Sequence, residues 1–528
     1  MRRATLITGW AGWLLAFAIM AIGVRFGRDI YDEGLILTGA METLAGRWPV
    51  TGFWAIYPPG AFAWVAGLFL VTGPQMLAMR LVFIAIVALL PALLAVLLLD
   101  RHAAAAKNTL VARNHWVAVA GLSLWLAGSL PNYGYPPPLA AALSALTLAW
   151  AANVQRWGQA FVAGLALGMI ALLRHDVAAY AWIALALTFL ARETSYGDNF
   201  SIIGRRAALV LASGLGATVI LSSVLVLYTF AQNATPEKQA AIDVLWHRLI
   251  VYPVGPFRAA RDLPFPRPFA SVLTGASLGP GLLIRSIRLI AVYTLAAASL
   301  ILMIIQLLGS RRQAKPLALT AFALLSWIPF MGRSDINQAW IGAALGALTL
   351  LWQASESLRF GIGLTLALIG GLAVLRQDLS YYGGPTVAVA SPYALGIRIP
   401  ASQAGYNQVI TEARQANGLY SGPETHSHVF ANDMLLYFLS GHLPPTYFGE
   451  TEPGMTDRFS IQKKMASALQ KAKPDLCVLL PQPRLEPNRS SLDSGIHVMD
   501  TLINSHCGPA QRIGLYELRK CRWGHGNS

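Results

Sequence analysis

Charge is what this 528-residue chain has least of. Only 12% of its residues are Asp, Glu, Lys or Arg, roughly half the share of a water-soluble protein, and acids are the scarcer sign at 25 against 40 basic residues. A soluble globular protein is excluded by that figure, and a disordered one by its 55% apolar residues. Cysteine occurs three times, at Cys477, Cys507 and Cys521, with no metal-ligand spacing. The C-terminal portion lacks a Gly-rich phosphate fingerprint, so nucleotide binding has no support there.

The apolar residues come in blocks, and 81–99 and 207–230 contain no charged residue. With a mean hydropathy of +0.51, this is a polytopic membrane protein with one polar appendage. A net charge of +15 suggests nucleic acid in a soluble protein, but here the basic residues have an ordered placement. Arg2, Arg3, Arg101, Lys107, Arg113, Arg156, Arg192, Arg205, Arg206, Arg311, Arg312, Lys315 and Arg359 fall in every second connection between blocks. That is the positive-inside pattern: these connections are cytoplasmic, and no nucleic-acid partner is implied. The first block follows Met-Arg-Arg without a small-residue cleavage site and reads as a retained span.

Apolar blocks of 14 to 24 residues give about eleven spans, near 4–24, 77–99, 116–130, 139–152, 160–173, 177–191, 207–230, 286–308, 317–331, 338–354 and 360–375. The run 60–73 is placed as a helix at the outer interface, since counting it as a span would put the basic 101–113 loop outside. The chain then divides into a membrane region, 1–375, with external loops 25–76 and 231–285, and an extracytoplasmic α/β domain, 376–528. Residues 29–46 carry Ile30, Gly34, Leu37, Met41 and Leu44 at helical spacing with acids off that stripe, an amphipathic helix resting on the membrane surface. In the C-terminal domain, β-like runs (428–431, 476–480, 511–518) alternate with helix-like ones (403–416, 433–439, 456–472), suggesting a small α/β sandwich with a largely parallel sheet. The segment between Cys507 and Cys521 can double back as a hairpin and bring them together as a disulfide, with Cys477 left over; three reduced thiols are the competing reading.

Outside the cytoplasmic loops and the C-terminal domain only nine carboxylates are available for acid-base chemistry. Four of them, Asp29, Asp32, Glu33 and Glu42, open the first external loop, which continues to the rigid turn Tyr57-Pro58-Pro59-Gly60. Arg174, His175 and Asp176 lie between two apolar runs with no loop to solvate them, either as a plain ion pair at a span end or as a phosphate-binding cation held by a carboxylate. Arg333 and Asp335 repeat the pattern at another outer span end. His247 and Arg248 lie in the aromatic, proline-rich 231–285 loop, which is either an interfacial mat or a lid. One weak internal echo, 140–152 against 342–354, leaves a transporter open.

The Asp32-Glu33 pair after the first span, the run AGRWPVTGFWAIYPPG, the Arg-x-Asp at 174–176 and the Arg-Ser-Asp at 333–335 together resemble bacterial GT-C-fold glycosyltransferases, the group of protein mannosyltransferases and aminoarabinose transferases. FANDMLLYFLSGHLPPTYF and KPDLCVLL resemble the periplasmic α/β domain of some members; Gln338 stands where relatives often have His. The resemblance implies an enzyme of the bacterial inner membrane moving a sugar from a polyprenyl-phosphate donor to a glycan, lipid or protein acceptor on the outer face, among membrane lipids. It implies Asp32 as general base, Glu33 holding sugar or acceptor hydroxyls, Tyr57 in the substrate loop, and Arg174 and Arg333 on the departing phosphate. Metal dependence varies within that fold, so a divalent ion stays open and no cofactor is assigned. A lipid-linked sugar flippase or secondary transporter, and a non-catalytic lipid-sugar-binding scaffold, are the alternatives.

Overall fold

The structure is a computed structural model that describes residues 2–101, 109–130, 132–191, 201–232, 280–308, 313–332, 339–382, 384–416, 428–449, 459–480 and 497–523. Every one of the eleven apolar blocks is helical, as a chain in lipid must be to satisfy its own backbone. They are α1 (Arg2–Ala21), α4 and α5 (Met76–Val87, Leu89–Arg101), α6 (Thr109–Ser129), α7 (Pro136–Ala151), α8 (Trp157–Ala171), α9 (His175–Ala191), α10 (Ser201–Gln232), α11 (Pro280–Leu308), α12 and α13 (Ala314–Leu325, Ile328–Gly332), α14 (Trp340–Gln353) and α15 (Glu356–Tyr382). Six helical stretches among the described residues are long and apolar enough to cross a membrane, including Met76–Arg101, which is offset between α4 and α5 at Ala88. Pro91 explains the offset, because its ring clashes with the carbonyl four residues back, at Val87.

The described basic residues of the alternate connections gather at one end of this bundle. Arg101 donates to the carbonyl of Trp352 and Arg359 to those of Leu351 and Ala354, both 2.8 Å, so two guanidiniums cap the C-terminus of α14. Arg205 and Arg206 reach the carbonyls of Gln155 and Leu190, and Lys315 pairs with Asp100 at 3.6 Å. Among the described residues, the remaining two helices of the membrane region, α2 (Asp32–Leu44) and α3 (Gly60–Thr72), belong to the opposite end.

Helix α2 corrects the expectation of a helix resting on a membrane surface. All ten residues from Glu33 to Glu42 are buried, the acids included, because the helix has cover on two sides. One side is α3; the other comes from α17 (Met434–Ser440), some 400 residues away, all seven of whose residues are buried. Gly34 permits that approach, since a Cβ there would lie 2.4 Å from the backbone nitrogen of Leu435. Thr38 donates to the carbonyl of Met434 at 2.6 Å, and Arg47 to that of Pro444 at 3.0 Å.

The C-terminal region also holds α16 (Gly405–Gln415), α18 (Phe459–Ala472) and α19 (Val498–His506), a two-stranded ribbon of β1 (Thr386–Ala388) and β2 (Arg398–Pro400), and a four-stranded sheet. The sheet strands are β3 (Val429–Ala431), β4 (Leu476–Leu479), β5 (Gln511–Ile513) and β6 (Tyr516–Lys520), in the order β3-β4-β6-β5. It is mixed, not largely parallel: β3 and β4 run parallel, while β4–β6 and β5–β6 are antiparallel. Between Cys507 and Cys521 the chain doubles back at Gly514, whose φ of 58° suits a residue without a Cβ, and this hairpin of β5 and β6 fills one edge. Cys507 and Cys521 are joined, S–S 2.01 Å, and Cys477 is a buried free thiol beside them.

Candidate functional site

The connection between α1 and α2 is held from behind by one side chain, Arg80 of α4. Its guanidinium makes a bidentate pair with Glu33, Nε to Oε1 at 2.6 Å and Nη2 to Oε2 at 2.8 Å, and both side chains are 1% exposed. The same guanidinium donates to the carbonyls of Val24, Phe26 and Gly27 and lies 4.6 Å from the ring centroid of Tyr133. The connection between α1 and α2, which has turns and a single bridge from Phe26 to Arg398 but no helix or strand of its own, is thereby given one path. Glu33 differs here from its sequence reading: paired through both oxygens and buried, it anchors the loop to the bundle and is not exposed to a substrate hydroxyl.

Asp29 begins α2. Its carboxylate accepts from the backbone nitrogens of Tyr31 and Glu33 at 3.2 and 3.0 Å, satisfying donors that a helix N-terminus leaves free. Burial, with the nearby Asp32 charge adding to it, pushes the Asp29 carboxyl up to about 7. One turn on, Asp32 is only partly buried, unlike Glu33 beside it. Tyr57 donates to its Oδ1 at 2.5 Å and Asn132, from the α6–α7 connection, to its Oδ2 at 3.1 Å.

Tyr57 stands where it does because the Pro-Pro-Gly that follows starts α3 against the end of α8. A Cβ on Gly60 would lie 2.7 Å from the carbonyl oxygen of Leu172. That contact brings the turn beside Arg174, whose guanidinium lies 5.6 Å from the Tyr57 ring centroid, while Tyr135 meets the same ring edge-on at 6.2 Å. Asp176 holds Arg174 by Nε and Nη2, at 2.7 and 3.1 Å. Arg174 Nη1 makes no hydrogen bond among the described residues. His175 starts α9 with its Nδ1 buried and unpaired.

A second polar cluster sits one residue upstream of Asp29. Arg28 stacks on Tyr406, 3.5 Å from the ring centroid, and donates to the Tyr516 hydroxyl at 3.0 Å. Both hydroxyls donate to Oδ2 of buried Asp433, at 2.9 and 2.7 Å, and Asp433 also caps α17. Burial raises the Asp433 carboxyl above its usual range against the opposing pull of Arg28. The loop that bears the acids is therefore fixed on one side by the membrane helices and on the other by the C-terminal region.

Of the residues singled out in the sequence, Asp32, Tyr57, Arg174, His175 and Asp176 come together. Arg333, Asp335, His247 and Arg248 lie outside the described residues. Sequence reasoning missed Arg80, Asn132, Tyr135, Arg28 and Asp433. For Arg80 a signal existed, because an ionisable group inside an apolar span needs a buried partner. What results is one oriented, partly exposed carboxylate and one cation, separated by a tyrosine, at the end of the bundle opposite the cytoplasmic-type arginines.

Among solved structures, the chain is similar to ArnT from Cupriavidus metallidurans bound to undecaprenyl phosphate, with a TM-score of 0.51 at 14% identity, covering 97% of each chain. This chain has the GT-C fold. Two weaker likenesses at 13% identity are to the same ArnT in the apo state (TM-score 0.39, 96% of this chain and 98% of that one) and to the apo Archaeoglobus fulgidus oligosaccharyltransferase (TM-score 0.39, 89% and 69%). No protein-family model and no curated protein matches the sequence. Within the GT-C fold of this chain, the acid cluster lies in the connection between α1 and α2 and in the first turn of α2, and Arg174 at the start of α9.

Proposed function

We propose that this protein is a membrane glycosyltransferase that moves a sugar from a polyprenyl-phosphate donor to an acceptor hydroxyl, with inversion at the anomeric carbon. The observation that carries the reading is Asp32: a partly exposed carboxylate oriented by Tyr57 and Asn132, one aromatic ring away from Arg174, in a chain with the ArnT fold. Asp32 takes the acceptor proton as the new bond forms. Arg174 offers Nη1 to the departing lipid phosphate while Asp176 fixes its plane. Glu33 acts through Arg80, keeping Asp32 in register. Arg333 with Asp335 supplies a second phosphate cation, and His247 and Arg248 belong to a loop covering the donor. The arginine-capped end of the bundle faces the cytoplasm, so the acid cluster and the C-terminal region face outward, in the bacterial inner membrane.

Purified protein assayed with the lipid extract of a deletion strain, in which unused donor accumulates, tests the reading. Asp32→Asn keeps size and hydrogen bonding but lowers turnover by about 10²-fold or more, with donor binding retained. Near-normal turnover in that variant overturns the assignment, and movement of the lipid across vesicle membranes without product favours the transporter.

A further inference from the structure

The three cysteines form one cluster, and their arrangement has a use beyond a single disulfide. Cys477 is central in β4, and its sulfur lies 3.4 Å from that of Cys521 and 3.8 Å from that of Cys507. A thiol poised to exchange with a disulfide lies in line behind one sulfur, so its two distances differ by about 2 Å, the length of the bond. Here they differ little, so Cys477 sits beside the bond. Three sulfurs around a common centre are the alternative geometry: thiolates bound tetrahedrally at about 2.3 Å stand about 3.8 Å from one another. Two of the three separations already have that size.

The backbone holds the cluster without help from the disulfide. Gly508 donates to the carbonyl of Lys520 at 2.8 Å, Arg522 to that of His506 at 2.7 Å and Cys521 to that of Asp475 at 2.8 Å, tying the segments of Cys507 and Cys521 to each other and to β4. The surroundings are apolar and soft, with Phe430, Leu469 and the thioether residues Met465 and Met499 in the same core cluster. Among the described residues no histidine or carboxylate joins the group.

We propose that, once the Cys507–Cys521 bond is reduced, Cys477, Cys507 and Cys521 form a three-thiolate site for one soft, thiophilic metal cation. A dithiol reductant gives two electrons and two protons to the bond and becomes a disulfide itself, leaving thiols at Cys507 and Cys521. The cation then displaces one proton from each of the three thiols as three metal–sulfur bonds form. Three sulfur donors in an apolar setting, with no histidine or carboxylate among the described residues to join them, disfavour weakly thiophilic cations and leave the site to ions that deprotonate a thiol on binding. The site is independent of the transfer reaction.

Full-length protein in detergent, reduced with dithiothreitol and desalted without oxygen, is titrated with cadmium while the ultraviolet thiolate-to-metal band and bound cadmium are measured. One ion per reduced chain and none per oxidised chain is the expected result, with Cys477→Ser weakening binding at least about 100-fold. Absence of binding by the reduced protein, or equal affinity in Cys477→Ser, overturns the proposal. Should that variant fail to fold, alkylation of the wild type decides: the ion must protect all three cysteines from maleimide, and modification of Cys477 at full cadmium loading refutes the site.

Discussion

The two ends of the helix bundle employ the same side chain in different ways. At the basic end, Arg101, Arg359, Arg205 and Arg206 donate to backbone carbonyls, and all but Arg205, which reaches the α7–α8 connection, complement the partial negative charge of helix C-termini. At the other end Arg28, Arg47, Arg80 and Arg174 each face a carboxylate, and three of them lie over a tyrosine ring. A carbonyl is available on any helix, so a basic-end arginine is interchangeable with its neighbours. A carboxylate buried against one guanidinium is not. Arginines that set orientation can be spread over loops, whereas arginines that build a site must be matched singly.

The largest effect expected from that difference is at Arg80. Arg80→Met leaves Glu33 charged and buried, and should lower stability by about 3–5 kcal/mol in thermal unfolding of the detergent-solubilised protein. Adding Glu33→Leu should restore most of it; a double variant as unstable as the single one breaks the account. Next is Asp433→Ala, which strands the Tyr406 and Tyr516 hydroxyls and the α17 cap, at about 2–3 kcal/mol. Arg205→Ala, on an exposed side chain at the basic end, should stay within about 0.5 kcal/mol of wild type. A loss there as large as at Arg80 would erase the contrast between the ends.

A change of pH sharpens the comparison without deleting any contact. Asp29 holds its proton up to about 7 in the folded chain against an ordinary 3.8, so between those values the unfolded state has released a proton that the folded state keeps. Its contribution to stability is full below about 4 and is lost as pH rises toward 7. Asp29→Asn keeps a helix-capping oxygen and removes the titration. The melting temperature of that variant relative to wild type should rise between pH 4 and 7; an unchanged difference shows that Asp29 is ionised throughout.

The membrane helices were legible because lipid leaves a backbone few options, and the block pattern records that directly. The chemistry was legible in part. Asp32, Tyr57, Arg174 and Asp176 stood out as scarce polar groups between apolar runs, and they do converge. Their supports did not stand out. Asn132 sits in an ordinary turn, and Arg28 reads as one more loop arginine until Tyr406 and Tyr516 are placed around it. Glu33 looked like a substrate ligand for want of a visible partner. For α2, periodicity correctly marked a helix with an apolar stripe but could not reveal that α17 would pack on Gly34 of that stripe, where a membrane surface was expected.

The contact between Gly34 and Leu435 sets a schedule for the making of this protein. Thr38 must find a carbonyl that is synthesised 396 residues after it. At 5–20 residues per second, roughly 20 to 80 s pass between the two. During that time the acid-bearing loop has its rear support, since Arg80 emerges soon after Glu33, but not its front one. A chain halted between Tyr382 and Met434 therefore carries all the described membrane helices and still lacks a finished first loop.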